Sequence, residues 1–318
     1  MRSLVKNFTL CAIAMSYCMG NAADCVDTAF KAALTEGAVL ELRLIVRDEG
    51  GEPVPGAKIR ATLADRVADH SQHGVTDKNG LWQVSDKTTG DYIEFEVSAD
   101  GFYTSKKRLS YIEMGKEHKV IDGKWQPFGG VETIQMRKVV NPQISCAGGR
   151  FKFTNNLGSW IGFDLEKGDF VRPHGNGEVS DFEVTVDWDG KWLPDYSGMG
   201  VRIRFAAPYS GFYEVSTHGE SVFKGPYSAD PQGRFSKEAR FFEKVEADSE
   251  RVHQHFPKDK YWVVRSRCRV DEQGKLKSAN YSIVHKVRFC GKKDGRGGLL
   301  VEGAFNPTPN DTNLEPRQ

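Results

Sequence analysis

The stretch "GGEPVPGAKIRATL", residues 50–63, decides how this chain is built. Two prolines (Pro53, Pro55) and three glycines (Gly50, Gly51, Gly56) separate two runs in which apolar and polar residues alternate. Upstream, "VLELRLIVRD" (39–48) has period two and many branched side chains, which reads as a strand. Downstream, "AKIRATLAD" starts a second strand at Ala57. Proline has no amide hydrogen and fixes its own backbone angle, so Pro53 and Pro55 end ladder pairing and impose a corner. The rhythm then repeats. "TDKNG" (76–80) and "TTGD" are turns, "LWQVSD" and "YIEFEVSAD" are strands, and "VETIQMRKV" (131–139) alternates again. Short strands at this spacing predict an antiparallel β-sandwich over 38–139.

Ahead of the sandwich, the segment 23–37 predicts a short helix, "AFKAALTEG", with Asp27 as its cap and Gly37 as its stop. The first 22 residues read as a signal peptide. Arg2 and Lys6 precede an apolar run, Phe8–Met19, and Gly20-Asn21-Ala22 offers small residues for cleavage. Cys18 and Cys25 follow Tyr17 and Asp24, which argues against lipidation. No later run is apolar enough to span a membrane. A secreted or periplasmic protein is expected.

The chain has 318 residues, enough for two cores. Its 44 Lys and Arg against 43 Asp and Glu leave no field to gather nucleic acid. In an oxidising compartment the four cysteines left after cleavage, Cys25, Cys146, Cys268 and Cys290, suggest two disulfides, with three connectivities open. No Cys-x-x-Cys pair points to zinc or redox chemistry.

The order strand, Gly-x-Pro-Val-Pro-Gly-Ala, strand, Thr-Asp-x-x-Gly, strand, "VSADGFYTSKKRL" resembles the carboxypeptidase regulatory-like domains, transthyretin-like sandwiches related to Cna-B repeats. The likeness covers about 38–112, extending toward 139. It implies a fold and no activity, because such modules serve as spacers, appendages and binding domains. The first strand, "LELRLIV", has no lysine for the internal Lys–Asn crosslink of some Cna-B modules. The remainder resembles uncharacterised exported bacterial proteins through "GSWIGFDLEKGDFVRPHGNGEVSDFEVTVDW" (158–188) and an Asn-Pro-Thr-Pro-Asn-Asp ending.

"VVNP" (139–142) reads as the junction to a second β-rich domain, 143–305. "DFEVTVDW" and "VRIRFA" alternate there, and "YWVVRSRCRV" and "ANYSIVHKVRF" flank a hairpin turn, "DEQGK". "SKEARFFEKVEADSERVHQ" (236–254) fits an amphipathic helix capped by Ser236 or two short strands, and is taken as helix. The tail 306–318 is expected to dock along the domain. The fold class is therefore mainly all-β, with few short helices.

Candidate sites are sparse. Asp164 and Asp169, beside Glu166 and His174, have the residue types of a glycosidase acid pair, against the simpler reading of a turn with solvated charges. Trp188, Trp192 and Tyr196 crowd one segment and could stack a sugar, although core filling is the commoner role of such rings. His253 and His255 would share a strand face, but lack further metal ligands. "DWDGKW" (187–192) lacks the oxygens of a calcium loop. Nucleophile-elbow, zinc-protease, phosphate-loop and dinucleotide motifs are absent, so no cofactor is expected. The expectation is an exported non-catalytic binding or structural module, with a glycan or an envelope protein as partner. The alternative is a hydrolase of carbohydrate or peptide working through the Asp164 and Asp169 carboxylates.

Overall fold

The computed structural model describes residues 28–90, 92–110, 120–148, 150–155, 158–187, 199–217, 219–243, 254–255, 259–291 and 297–317. The segment 1–22 and Asp27 lie outside them. The chain is all-β and divides into two units between Val139 and Val140, with Gly219–Val222 belonging to the first.

The first unit opens with helix α1 (28–36). Ala29, Phe30, Ala33 and Leu34 recur at helical spacing and face the core, and the ring of Phe30 meets Trp125 edge-on. Gly37 ends the helix at φ +82°, its amide bonding the Ala33 carbonyl at 3.0 Å, the left-handed cap that glycine adopts without strain. Then follow β1 (Ala38–Asp48), β2 (Lys58–Leu63), β3 (His70–Val75), β4 (Leu81–Thr88), β5 (Tyr92–Ser98), β6 (Ser105–Ser110), β7 (Val120–Ile121), β8 (Lys124–Trp125) and β9 (Gly130–Met136).

One sheet runs β4-β1-β8-β7 with β9 also on β1, and the other runs β3-β2-β5-β6. Leu40, Leu42, Leu44 and Val46 of β1 point inward against Ile59, Ala61, Ile93, Phe95 and Val97 of the opposite sheet, as their alternation predicts. The sandwich is not purely antiparallel. Both β8 and β9 run parallel to β1, because the chain returns to that strand only after completing the second sheet.

The proline corner folds back onto the end of β1. Val54 donates to the Val46 carbonyl, and Asp48 Oδ1 accepts the amides of Gly50 and Glu52. Two polar seams join the sheet edges. Between β3 and β4, Gln72 donates to Asp86 and to the Ser85 carbonyl, and His70 Nε2 lies 3.2 Å from Asp86 Oδ2. Between β6 and β9 the seam is filled by 219–222, whose backbone pairs with Lys106 and Thr104.

The second unit contains β10 (Ser145–Gly148), β11 (Lys152–Thr154), β12 (Ile161–Asp164), β13 (Asp169–Phe170), β14 (Phe182–Asp187), β15 (Met199–Arg204), β16 (Gly211–Ser216), β17 (Glu238–Glu243), β18 (Gln254–His255), β19 (Lys260–Val270), β20 (Leu276–Gly291) and β21 (Gly297–Phe305). The sheet β13-β12-β14-β15-β17 packs on β10-β21-β20-β19-β16, which also carries β11 and β18. The shared core includes Phe163, Phe182, Ile203, Trp262, Val264, Phe289, Val301 and Phe305. Stacked and tilted rings run from Phe163 through Phe182, Phe205 and Phe212 to Trp262.

The helix expected over 236–254 is not formed. Residues 238–243 are a strand paired with β15, with Ala239 and Phe241 against the core, and 244–253 lie outside the described residues. Alternate packing of two apolar side chains outweighs a helical charge pattern here. The hairpin turn forms as read, with Asp271 Oδ1 accepting the amides of Gln273 and Lys275.

The tail is ordered by its polar residues. Asn306 Nδ2 donates to the carbonyls of Asp311 and Asn313, while Glu315, fully buried, accepts the Val140 and Asn141 amides. Leu314 is buried and bonds the Tyr227 carbonyl.

Candidate functional site

Asp164 and Asp169 face one another across the β12–β13 pair. Neither is poised for catalysis. Asp164 is only 2% exposed, and its oxygens accept the amides of Glu166, Lys167, Glu178 and Val179. Burial alone would push its carboxyl up; those amides and Arg267 outweigh it and hold it below the usual range. Asp169 accepts the amides of Phe170 and Asn176 and pairs with Lys152 at 3.5 Å. Both carboxylates organise the 164–179 loop.

Arg267 gathers the acids that sequence spacing kept apart. It sits at φ +50° beside an irregularity in β19 and donates to Asp181, Glu166 and Asp164 at 2.6–3.0 Å. Its guanidinium also lies 4.2 Å from the centroid of the Phe305 ring. Asp181 is completely buried and accepts from Ser266 and Leu165 as well. Burial pushes the Asp181 carboxyl up, against the pull of Arg267. With its three nitrogens engaged, Arg267 acts as a pin between the two sheets.

Two disulfides are excluded by register. Cys146 lies opposite Ala304 and Cys290 opposite Gly298, six residues apart along β21, or about 20 Å. Cys268 lies level with 278–280 of β20, at least ten residues from Cys290 on that strand. It is three strands away from Cys146 in the sheet order. A disulfide needs Cα atoms within about 7 Å, so none of these three can bond another. Cys11, Cys18 and Cys25 lie outside the described residues. Cys268 is a free thiol, and burial pushes it up despite Arg265 and Lys237 nearby.

Trp188, Trp192, Tyr196 and His253 lie outside the described residues, and His255 is placed only by its backbone, opposite Arg288. Among the described residues no three His, Cys, Asp or Glu converge as metal ligands.

The best-formed chemical cluster was not singled out from sequence. Between Val284 and Lys286 the ladder to β21 skips one residue, His285, a bulge that aims two consecutive side chains at Glu302. Lys286 Nζ lies 2.6 Å from Glu302 Oε1 and His285 Nε2 3.5 Å from Oε2. The imidazole also lies 5.5 Å from the Tyr261 ring, centroid to centroid. Burial pulls His285 below the ordinary histidine value, with Glu302 opposing and Lys286 reinforcing the shift. A carboxylate beside Nε2 favours the tautomer that carries its proton on that nitrogen. A signal was present in "SIVHKVRF": the buried set Val284, Val287, Phe289 breaks period two at His285.

No family model matches the chain, and no curated protein does. Among solved structures it is similar to catechol 1,2-dioxygenase from Acinetobacter sp. ADP1, at 17% identity and TM-score 0.25, over 33% of this chain and 54% of that one. It is similar to 3-chlorocatechol 1,2-dioxygenase from Rhodococcus opacus 1CP at 13% and 0.26, over 32% and 61%. Hydroxyquinol 1,2-dioxygenase from Pseudomonas putida DLL-E4 gives 14% and 0.26, over 33% and 58%. The chain spans less than two thirds of each. These neighbours are enzymes, and the expectation of a non-catalytic module is corrected accordingly. At such TM-scores the likeness transfers neither their substrates nor their reaction. The hydrolase built on Asp164 and Asp169 is also set aside, since both carboxylates are occupied by the loop.

Proposed function

We propose that this is an exported protein whose second unit performs general-base chemistry at His285, activating water or deprotonating a bound ligand. Export rests on the sequence of residues 1–22, and the periplasm or the exterior is the proposed location. The first unit is proposed to be a carboxypeptidase regulatory-like sandwich, on the residues quoted above.

One observation carries the chemical reading. A solvent-accessible imidazole, its affinity for a proton lowered by its surroundings, has Nε2 3.5 Å from a carboxylate, and no hydrogen bond engages Nδ1 among the described residues. A base is most useful when neutral at working pH and oriented by a third group. The test is hydrolysis of p-nitrophenyl acetate from about pH 5 to about pH 9 by the wild type and by His285→Gln. The wild-type rate is expected to rise through one ionisation below the ordinary histidine value, and to drop about a hundredfold in the variant. Equal rates in the two proteins remove the proposal.

A further inference from the structure

The two oxygens of Glu302 are divided between two neighbours, Lys286 on Oε1 and His285 on Oε2. We propose that Lys286 is a positioning residue for the His285 site: by occupying one oxygen it fixes the carboxylate with the other turned to the imidazole. This rests on the general-base reading above.

The terminal torsion of a glutamate is broad, so a lone carboxylate on an outer sheet face samples many orientations. Glu302 is restrained instead by a short charge-assisted bond from its directly opposed cross-strand partner. Lys286 and Glu302 are about one-third and one-quarter exposed, so the pair is partly shielded from water. The bulge completes the arrangement. In a regular strand His285 and Lys286 would point to opposite faces; here both reach the same carboxylate. The charged groups acting on the ring are Glu302 from β21 and Lys286 from β20. They act in opposite directions, so each has a separable signature.

The test is ¹⁵N NMR of the imidazole in the full chain, comparing wild type, Lys286→Met, Lys286→Arg and Glu302→Gln, with circular dichroism confirming the fold of each. The wild type is expected to show the Nε2–H tautomer. Lys286→Met should mix the tautomers and raise the His285 midpoint by about half a pH unit, the effect of losing one nearby cation. Lys286→Arg should restore both, and Glu302→Gln should shift the midpoint downward. A Lys286→Met spectrum and midpoint that superimpose on wild type overturn the proposal. If the tautomer depends on Lys286 but His285→Gln leaves hydrolysis unchanged, the positioning role stands and the general-base reading falls.

Discussion

Ser105 Oγ and Ser221 Oγ lie 2.8 Å apart, both fully buried, although 116 positions separate them in the chain. Ser221 also accepts the Arg137 amide, and Ser105 donates to the Gln135 carbonyl. The closure of the β6–β9 seam therefore depends on four residues borrowed from much later in the sequence.

Replacing Ser221 by alanine leaves the partly buried Arg137 amide without its acceptor. Such a group costs about 1–3 kcal/mol. Hydrogen exchange at the amides of β6, β9 and Val222 should accelerate by about tenfold or more, while β1 and β4 change little. Uniform exchange across the unit would contradict this.

The opposite seam tolerates no side chain at Gly74, whose added Cβ would overlap the Trp82 indole. Gly74→Ala should destabilise the first unit by about 1–3 kcal/mol through overpacking. A lowered urea midpoint with an unchanged slope checks it.

Arg267→Leu strands Asp181 as a buried carboxylate without its cationic partner and removes the cation beside Asp164, which keeps its backbone amides. Breaking a pair of this kind costs about 3–5 kcal/mol. Arg267→Lys should recover little, because one ammonium cannot serve three carboxylates in the fork geometry of a guanidinium. Thermal unfolding of the three proteins gives the comparison.

Acid should loosen the first unit. The Lys138 ammonium holds Asp48 below its usual range, and Lys106 does the same for Glu96. Asp86 is raised by burial but lowered more by Gln72, the Lys87 amide and His70. These groups bind protons less readily folded than unfolded, so the stability they supply is present above about pH 4.5. It is lost as pH falls through their lowered folded values. Denaturation midpoints measured at neutral pH and near pH 3 should show the loss, and Asp48→Asn should reduce it.

Local signals in the sequence were reliable where one face of an element meets one core. The alternation of Leu40 to Val46, the Gly37 stop and the Asp271 turn all follow from contacts within a few residues or from simple burial. The strand at 238–243 was hidden because its charges fit a helix, and only β15 and the core reveal which apolar pair decides. The Arg267 pin was not legible either. Its three acids lie 86 to 103 positions away, and no spacing rule joins them. Cysteine counting, on the expectation of export, allowed a Cys146–Cys290 bond that the register of β21 forbids.

The extra position in β20 has a consequence for its own removal. Excising His285 would bring Val284 directly before Lys286, returning an ordinary pleat with Val284 inside, Lys286 outside and Val287 inside. Pairing with β21 makes no demand on the imidazole, which the bulge leaves beside Glu302.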